Sequence, residues 1–113
     1  MNDRLPAHLE VGGLRRIAEA EGGHAALLAK GDADRGAITL LIRERGVFSV
    51  AYERRLGLDG VYGWAPTGPA HGAQEAEISD FCAKRRRSDP DLWLIELDVP
   101  LVERFVVNSG LKD

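Results

Sequence analysis

Four carboxylates, Asp89, Asp91, Glu96 and Asp98, follow directly on the basic run Lys84-Arg85-Arg86-Arg87. Carboxylates grouped beside cations can hold a divalent ion or work as an acid–base pair. Asp89, Asp91 and Glu96 are therefore the candidate set for a metal-dependent enzyme. In a strand, Glu96 and Asp98 share one face, and Trp93, Ile95 and Leu97 share the other. A restriction-type nuclease would carry a Glu-x-Lys element; Glu96-Leu97-Asp98 has no lysine, and Pro90-Asp91 stands too close to it. The competing reading is scaffold, with Asp89 capping a helix exit or pairing with Arg85 or Arg86. Arg85 extends the apolar stripe of Ile78, Phe81 and Cys82, so its stem lies over the core edge. There it clamps an aspartate or binds an anion. Arg86 and Arg87 are expected to face solvent.

Tyr62 and Trp64 precede a segment rich in proline and glycine, and His71 lies within it. Aromatic residues on a loop favour recognition surfaces, and these three form the candidate recognition loop. The alternative is that Trp64 closes one end of the core. Asp32-Ala33-Asp34-Arg35-Gly36 echoes a calcium loop but lacks the third carboxylate and the distal glutamate, so it reads as a hairpin turn. Cys82 is the single cysteine, which excludes an intramolecular disulfide. Nearby cations favour a thiolate, but a position beside Phe81 on an apolar face points to packing. His8, His24 and His71 have no ligand spacing. Phosphate-cradling glycine motifs, nucleophile elbows and His-Glu-x-x-His are absent from the sequence, and no cofactor is expected.

The elements that must position these residues follow from periodicity. Residues 10–21 read as a helix, with Val11, Leu14, Ile17 and Ala18 on one side, ended by Gly22-Gly23. Residues 24–30 read as a strand, and 37–43 as a clearer one in which Ile38, Leu40 and Ile42 alternate with Ala37, Thr39 and Leu41. A turn at Arg45-Gly46 leads into a strand over 47–55. Asp59-Gly60 turns into a short strand over 61–65. Residues 66–73, with two prolines and two glycines, are expected to be irregular. Residues 74–87 form the second helix, with Glu75 and Glu77 in its first turn and Lys84 to Arg87 in its last. Strands at 92–98 and 102–108 complete the order α-β-β-β-β-α-β-β. Short connections imply an antiparallel sheet of five or six strands with two helices on one face, a single α+β domain over residues 1–113. Two helices cover only one face. Leu41 and Leu94, mixed with Thr39 and Glu96, would leave the other partly apolar, which suggests a sheet-to-sheet or edge-to-edge homodimer.

Three stretches carry a resemblance. They are the helix around Leu14-Arg15-Arg16, the turn from Lys30 to Ala37, and the run Arg86-Arg87-Ser88-Asp89-Pro90-Asp91-Leu92-Trp93-Leu94-Ile95-Glu96. With these the chain resembles an uncharacterised bacterial family, domain of unknown function 1491. Asp-Pro-Asp-Leu-Trp is the distinctive part, and Arg4 to Glu10 departs from the pattern. The resemblance implies the fold and a bacterial origin, with no activity, cofactor or catalytic residue.

Composition narrows the function classes. In 113 residues, 15 basic side chains oppose 18 acidic ones, and the net charge is −3. Residues 1–56 hold 9 basic and 8 acidic groups, and residues 57–113 hold 6 and 10. Neither half is a basic domain, which disfavours nucleic-acid binding through bulk charge. The remaining route to nucleic acid runs through Lys84 to Arg87 with Arg15, Arg16, Arg54 and Arg55. The sequence has no apolar run long enough to span a membrane and no secretory signal, so a cytoplasmic location is expected. The leading expectation is a non-enzymatic module that binds a protein partner or itself.

Overall fold

The two most apolar strands take the centre of the sheet. The computed structural model describes residues 5–112. Its elements are α1 (Ala7–Ala20), β1 (His24–Ala29), β2 (Ile38–Glu44), β3 (Val47–Leu56), β4 (Tyr62–Thr67), α2 (Glu75–Ser88), β5 (Trp93–Val99) and α3 (Val102–Asn108). The strands form a five-stranded sheet in the order β1-β5-β2-β3-β4. The architecture is α+β, as the order of elements predicts. The sheet is mixed rather than wholly antiparallel. β5 inserts between β1 and β2, antiparallel to the first and parallel to the second. In β2 and β5 nearly every residue is buried, so each needs a neighbour on both edges and cover on both faces. A parallel pair needs a long crossover, and β3, β4 and α2 supply it.

Helices cover both faces, not one. Val11, Leu14 and Ala18 of α1 pack with Phe105 and Val106 of α3 on Leu40, Ile42, Ile95 and Leu97. On the opposite face, Ile78 of α2 meets Leu41, Phe48 and Ala51, with Phe81 and Cys82 alongside. The second face is therefore not left open for a partner sheet. The alternation of Leu40 and Leu41 across the pleat sorts the two faces as the sequence pattern predicts.

Three segments differ from the sequence expectation. α1 begins at Ala7 because its first main-chain N–H groups are satisfied by distant carbonyls: Ala7 N–H donates to Asp34 O and His8 N–H to Ala33 O. That capping leaves no local signal. β4 runs through Pro66 to Thr67, which an edge strand tolerates because proline's missing donor can face solvent. Residues 102–108 are a helix rather than a strand. Both edges of β5 are already occupied, so a returning strand has nowhere to pair. Glu44 Oε2 instead accepts the Val102 N–H at 2.9 Å and caps α3.

The two sheet edges are unlike. β4 carries Gly63 and Pro66. β1, His24-Ala25-Ala26-Leu27-Leu28-Ala29, carries no charge and no proline, and Leu27 and Leu28 are 52% and 48% exposed. A bulge falls between Leu27 and Ala29. Among the described residues, no helix is long and apolar enough to cross a membrane.

Candidate functional site

The constellation at the exit of α2 disperses into the framework. Arg85 donates to Glu53 Oε1 on β3 at 2.5 Å, not to Asp89. Arg86, expected in solvent, turns back and donates to the Leu92 carbonyl at 2.5 Å. Asp89 accepts the Asp91 N–H at 3.1 Å in a local turn, while the Asp91 side chain is exposed. Glu96 faces the other way, toward Arg43. Trp93 is buried. Among the described residues, no group of three His, Cys, Asp or Glu could hold a metal ion. The other basic residues weighed for phosphate are mostly engaged: Lys84 with Asp80, Arg15 with Glu19, Arg54 with Glu10 and Arg55 with Glu53. Burial pushes the Cys82 thiol up, and Glu96 adds to this, which suits a packing residue.

The residues that carry the family resemblance form a latch. The Trp93 indole donates to the Asp32 carbonyl at 2.6 Å, and Asp32 N–H donates to Asp91 O at 3.0 Å. The Asp32 carboxylate in turn accepts the N–H groups of Arg35 and Asp34. Those two bonds, Arg35's the stronger, hold its carboxyl below the ordinary aspartate range. A depressed folded-state pKa adds stability above the unfolded value and loses it as pH falls through the folded one. Asp32→Asn keeps an acceptor oxygen but no charge. Its melting temperature should lie below that of the parent chain at neutral pH, and the gap should close as pH drops below about 4. A gap that ignores pH would refute the charge-assisted turn.

A second polar cluster fixes α2 to the sheet. Arg43 on β2 donates to Glu75 Oε2 of α2 at 2.8 Å and to Glu96 Oε2 of β5 at 3.0 Å. The hydrogen bond to Glu75 contributes most to holding the Arg43 proton, and it draws the Glu75 carboxyl below its usual range.

One concave surface gathers charge, aromatic rings and apolar walls outside these frameworks. Arg54 on β3 reaches across to Glu10 on α1, with Nε 3.3 Å from Oε2. Their side chains are only 17% and 10% exposed. The Arg54 guanidinium lies 5.6 Å from the Trp64 ring and 5.9 Å from the Tyr62 ring, close enough for cation–π attraction. The register explains the grouping, since Arg54 pairs directly with Trp64 across β3 and β4. A groove of about 560 Å³ runs beside this pair, walled by Leu9, Leu14, Ile17 and Trp64. A second hollow of about 690 Å³ shares Arg54 and Trp64 with it and lies against Tyr62, Pro66 and Leu111. Tyr62 and Trp64 thus line a recess, but from a strand rather than a loop. His71 is exposed in the turn before α2 and lines neither hollow. Glu10 went unnoticed in the sequence. Its signal is an acid at the i−4 and i−7 positions of the apolar residues Leu14 and Ile17, on one helix face.

Comparison with known proteins agrees with this fold. The solution structure of protein Atu0922 from A. tumefaciens, a structural genomics target, has a TM-score of 0.74 and 26% identity, covering 90% of this chain and 92% of that one. The crystal structure of a DUF1491 family protein from Caulobacter crescentus CB15 has a TM-score of 0.76 and 27% identity, covering 90% and 94%. Nothing among curated proteins matches the chain. Residues 5–107 match the model of the family described as protein of unknown function (DUF1491). That span takes in the latch, the Arg54–Glu10 pair and both central strands, and the chain belongs to the DUF1491 family.

Proposed function

We propose that the chain is a non-enzymatic interaction module that works as a homodimer, joined edge to edge through β1. The exposed, uncharged edge of β1 carries this reading. Soluble proteins protect sheet edges with charges, proline or covering elements, because unpaired main-chain groups invite another strand. Here Leu27 and Leu28 are half exposed, and only the bulge beside them interrupts the strand. His24 to Leu27 offers the regular stretch for pairing. A second copy suits this edge. Two β1 strands meeting antiparallel set no like charges opposite one another, and the contact closes on itself under twofold symmetry. The polar clusters tested for chemistry are spent on holding helices and turns, which favours binding over catalysis.

Light scattering at tens of micromolar should give twice the 12.3 kDa chain mass. Leu27→Lys places a charge in the apolar joint, which makes an edge strand resist pairing, and should weaken the dimer about tenfold or more. Its unfolding temperature as a monomer should barely change, because Leu27 is exposed. A monomeric parent chain would end the proposal. A dimer indifferent to Leu27→Lys would end the edge assignment.

A further inference from the structure

We infer that the groove between α1 and β4 binds a small amphipathic monocarboxylate, with its apolar body against Trp64 and its carboxylate beside Arg16 and Arg54. This site is independent of the β1 edge. The groove volume of about 560 Å³ falls within the range of small-molecule sites. Its walls are apolar, and the exposed Leu5 and Leu9 extend that character to the rim. Among the described residues, the charged ones lining it are Arg16, Arg54 and Glu10, two cations against one anion. The whole chain carries −3, so the groove has the opposite sign to the protein around it, and one anionic head would neutralise it.

The cations are prepared for such a head. Arg54 is held in place by Glu10, Trp64 and Tyr62, and it lines the groove. Arg16 is exposed on the next turn of α1, and its guanidinium folds back over Gly12-Gly13. Only proline suits a helix interior less well than glycine. Among the described residues, no side chain other than that of Arg16 would meet a Cβ at either position. A Cβ on Gly12 would meet only Arg16 Nη1 at 3.4 Å, and one on Gly13 only Arg16 Nη2 at 4.0 Å. What the glycines provide is a low saddle that lets the Arg16 charge lie at the mouth of the groove.

The test is a titration of the full chain with sodium decanoate at millimolar concentration, followed by the two indole N–H signals in a ¹H–¹⁵N spectrum. The Trp64 signal should shift and saturate. The Trp93 signal, whose N–H is bonded to Asp32 O, should stay in place. Arg16→Gln should weaken binding about threefold to fivefold, the effect of one exposed charge pair. Arg16→Lys should recover part of that loss, and decan-1-ol should bind more weakly than decanoate. The site is overturned by an unmoved Trp64 signal, by both indole signals moving together, by Arg16→Gln binding as tightly as the parent, or by decan-1-ol matching decanoate. A Trp64 signal that shifts on dilution without ligand would give the groove to a second copy instead, and would also overturn it.

Discussion

Gly31→Ala is expected to destabilise the chain by about 3 kcal/mol, the severe end of what added bulk costs in a packed interior. A Cβ on Gly31 would stand 2.1 Å from Asp91 O, 2.7 Å from the Leu92 carbonyl carbon and 2.7 Å from Trp93 Cδ1. Two of these three atoms are main chain and cannot swing aside. Gly36 meets the same obstacle, with a Cβ 2.5 Å from Asp91 O. Relief would require the turn between β1 and β2 to lift away from the entry to β5. That movement would strain the Trp93 bond to Asp32 and the carbonyls of Ala33 and Asp34 that start α1. The loss would be a large share of the roughly 5–15 kcal/mol that keeps a domain folded. Urea denaturation measures it as a fall in the midpoint. Gly63→Ala is the control: nothing among the described residues lies within 4 Å of its Cβ position, and a change within about 0.5 kcal/mol is expected. If Gly31→Ala kept the parent midpoint, the latch would be slack, and Asp-Pro-Asp-Leu-Trp would need a different explanation.

The latch marks the boundary between what the sequence reveals and what it conceals. Periodicity identified β2 and sorted Leu40 from Leu41, because alternation is a local property of the chain. The composition of residues 74–87 identified α2 to within a residue at each end, since its acidic start and basic finish are local too. The partner of β1 was not legible. β5 lies far along the chain, and only the demand of two doubly buried strands for neighbours brings it between β1 and β2. The same holds for the partner of Arg85. Asp89 is close in sequence, but α2 crosses the sheet so that Glu53 comes within reach instead. Arg54 and Glu10 meet only because α1 lies on the sheet face that Arg54 points to, and neither residue announces the other. Trp64 was legible as a candidate for recognition and its strand was legible over 61–65, while the extension of that strand to Thr67 was hidden by Pro66, a residue tolerated only because β4 is an edge.

Phe105→Ala should cost about 3–5 kcal/mol, the usual loss for deleting a large aromatic side chain from a closed core. Residues 102–108 looked like a strand because valine and phenylalanine favour strands when nothing else decides. The helix is instead selected by tertiary contacts: the Glu44 cap on Val102, and Arg104 and Asn108 both donating to Glu21 at the end of α1. Those polar contacts orient α3, but they are exposed and weak. Arg104 is 46% exposed, and Arg104→Ala should cost less than about 1 kcal/mol. Phe105 is fully buried with Val106 in the cluster beneath α1, and this burial holds the helix in place. The two variants, compared by urea denaturation, separate these contributions. Equal losses would assign α3 docking to its polar contacts, and a Phe105→Ala loss below 1 kcal/mol would mean the core closes up around the gap. The segment after α3 ties this packing to the binding surface. Ser109 borders the groove, and Gly110 and Leu111 border the second hollow, both of which Trp64 lines. Loss of Phe105 should therefore also displace the Trp64 indole signal in the folded variant, while Arg104→Ala leaves it in place.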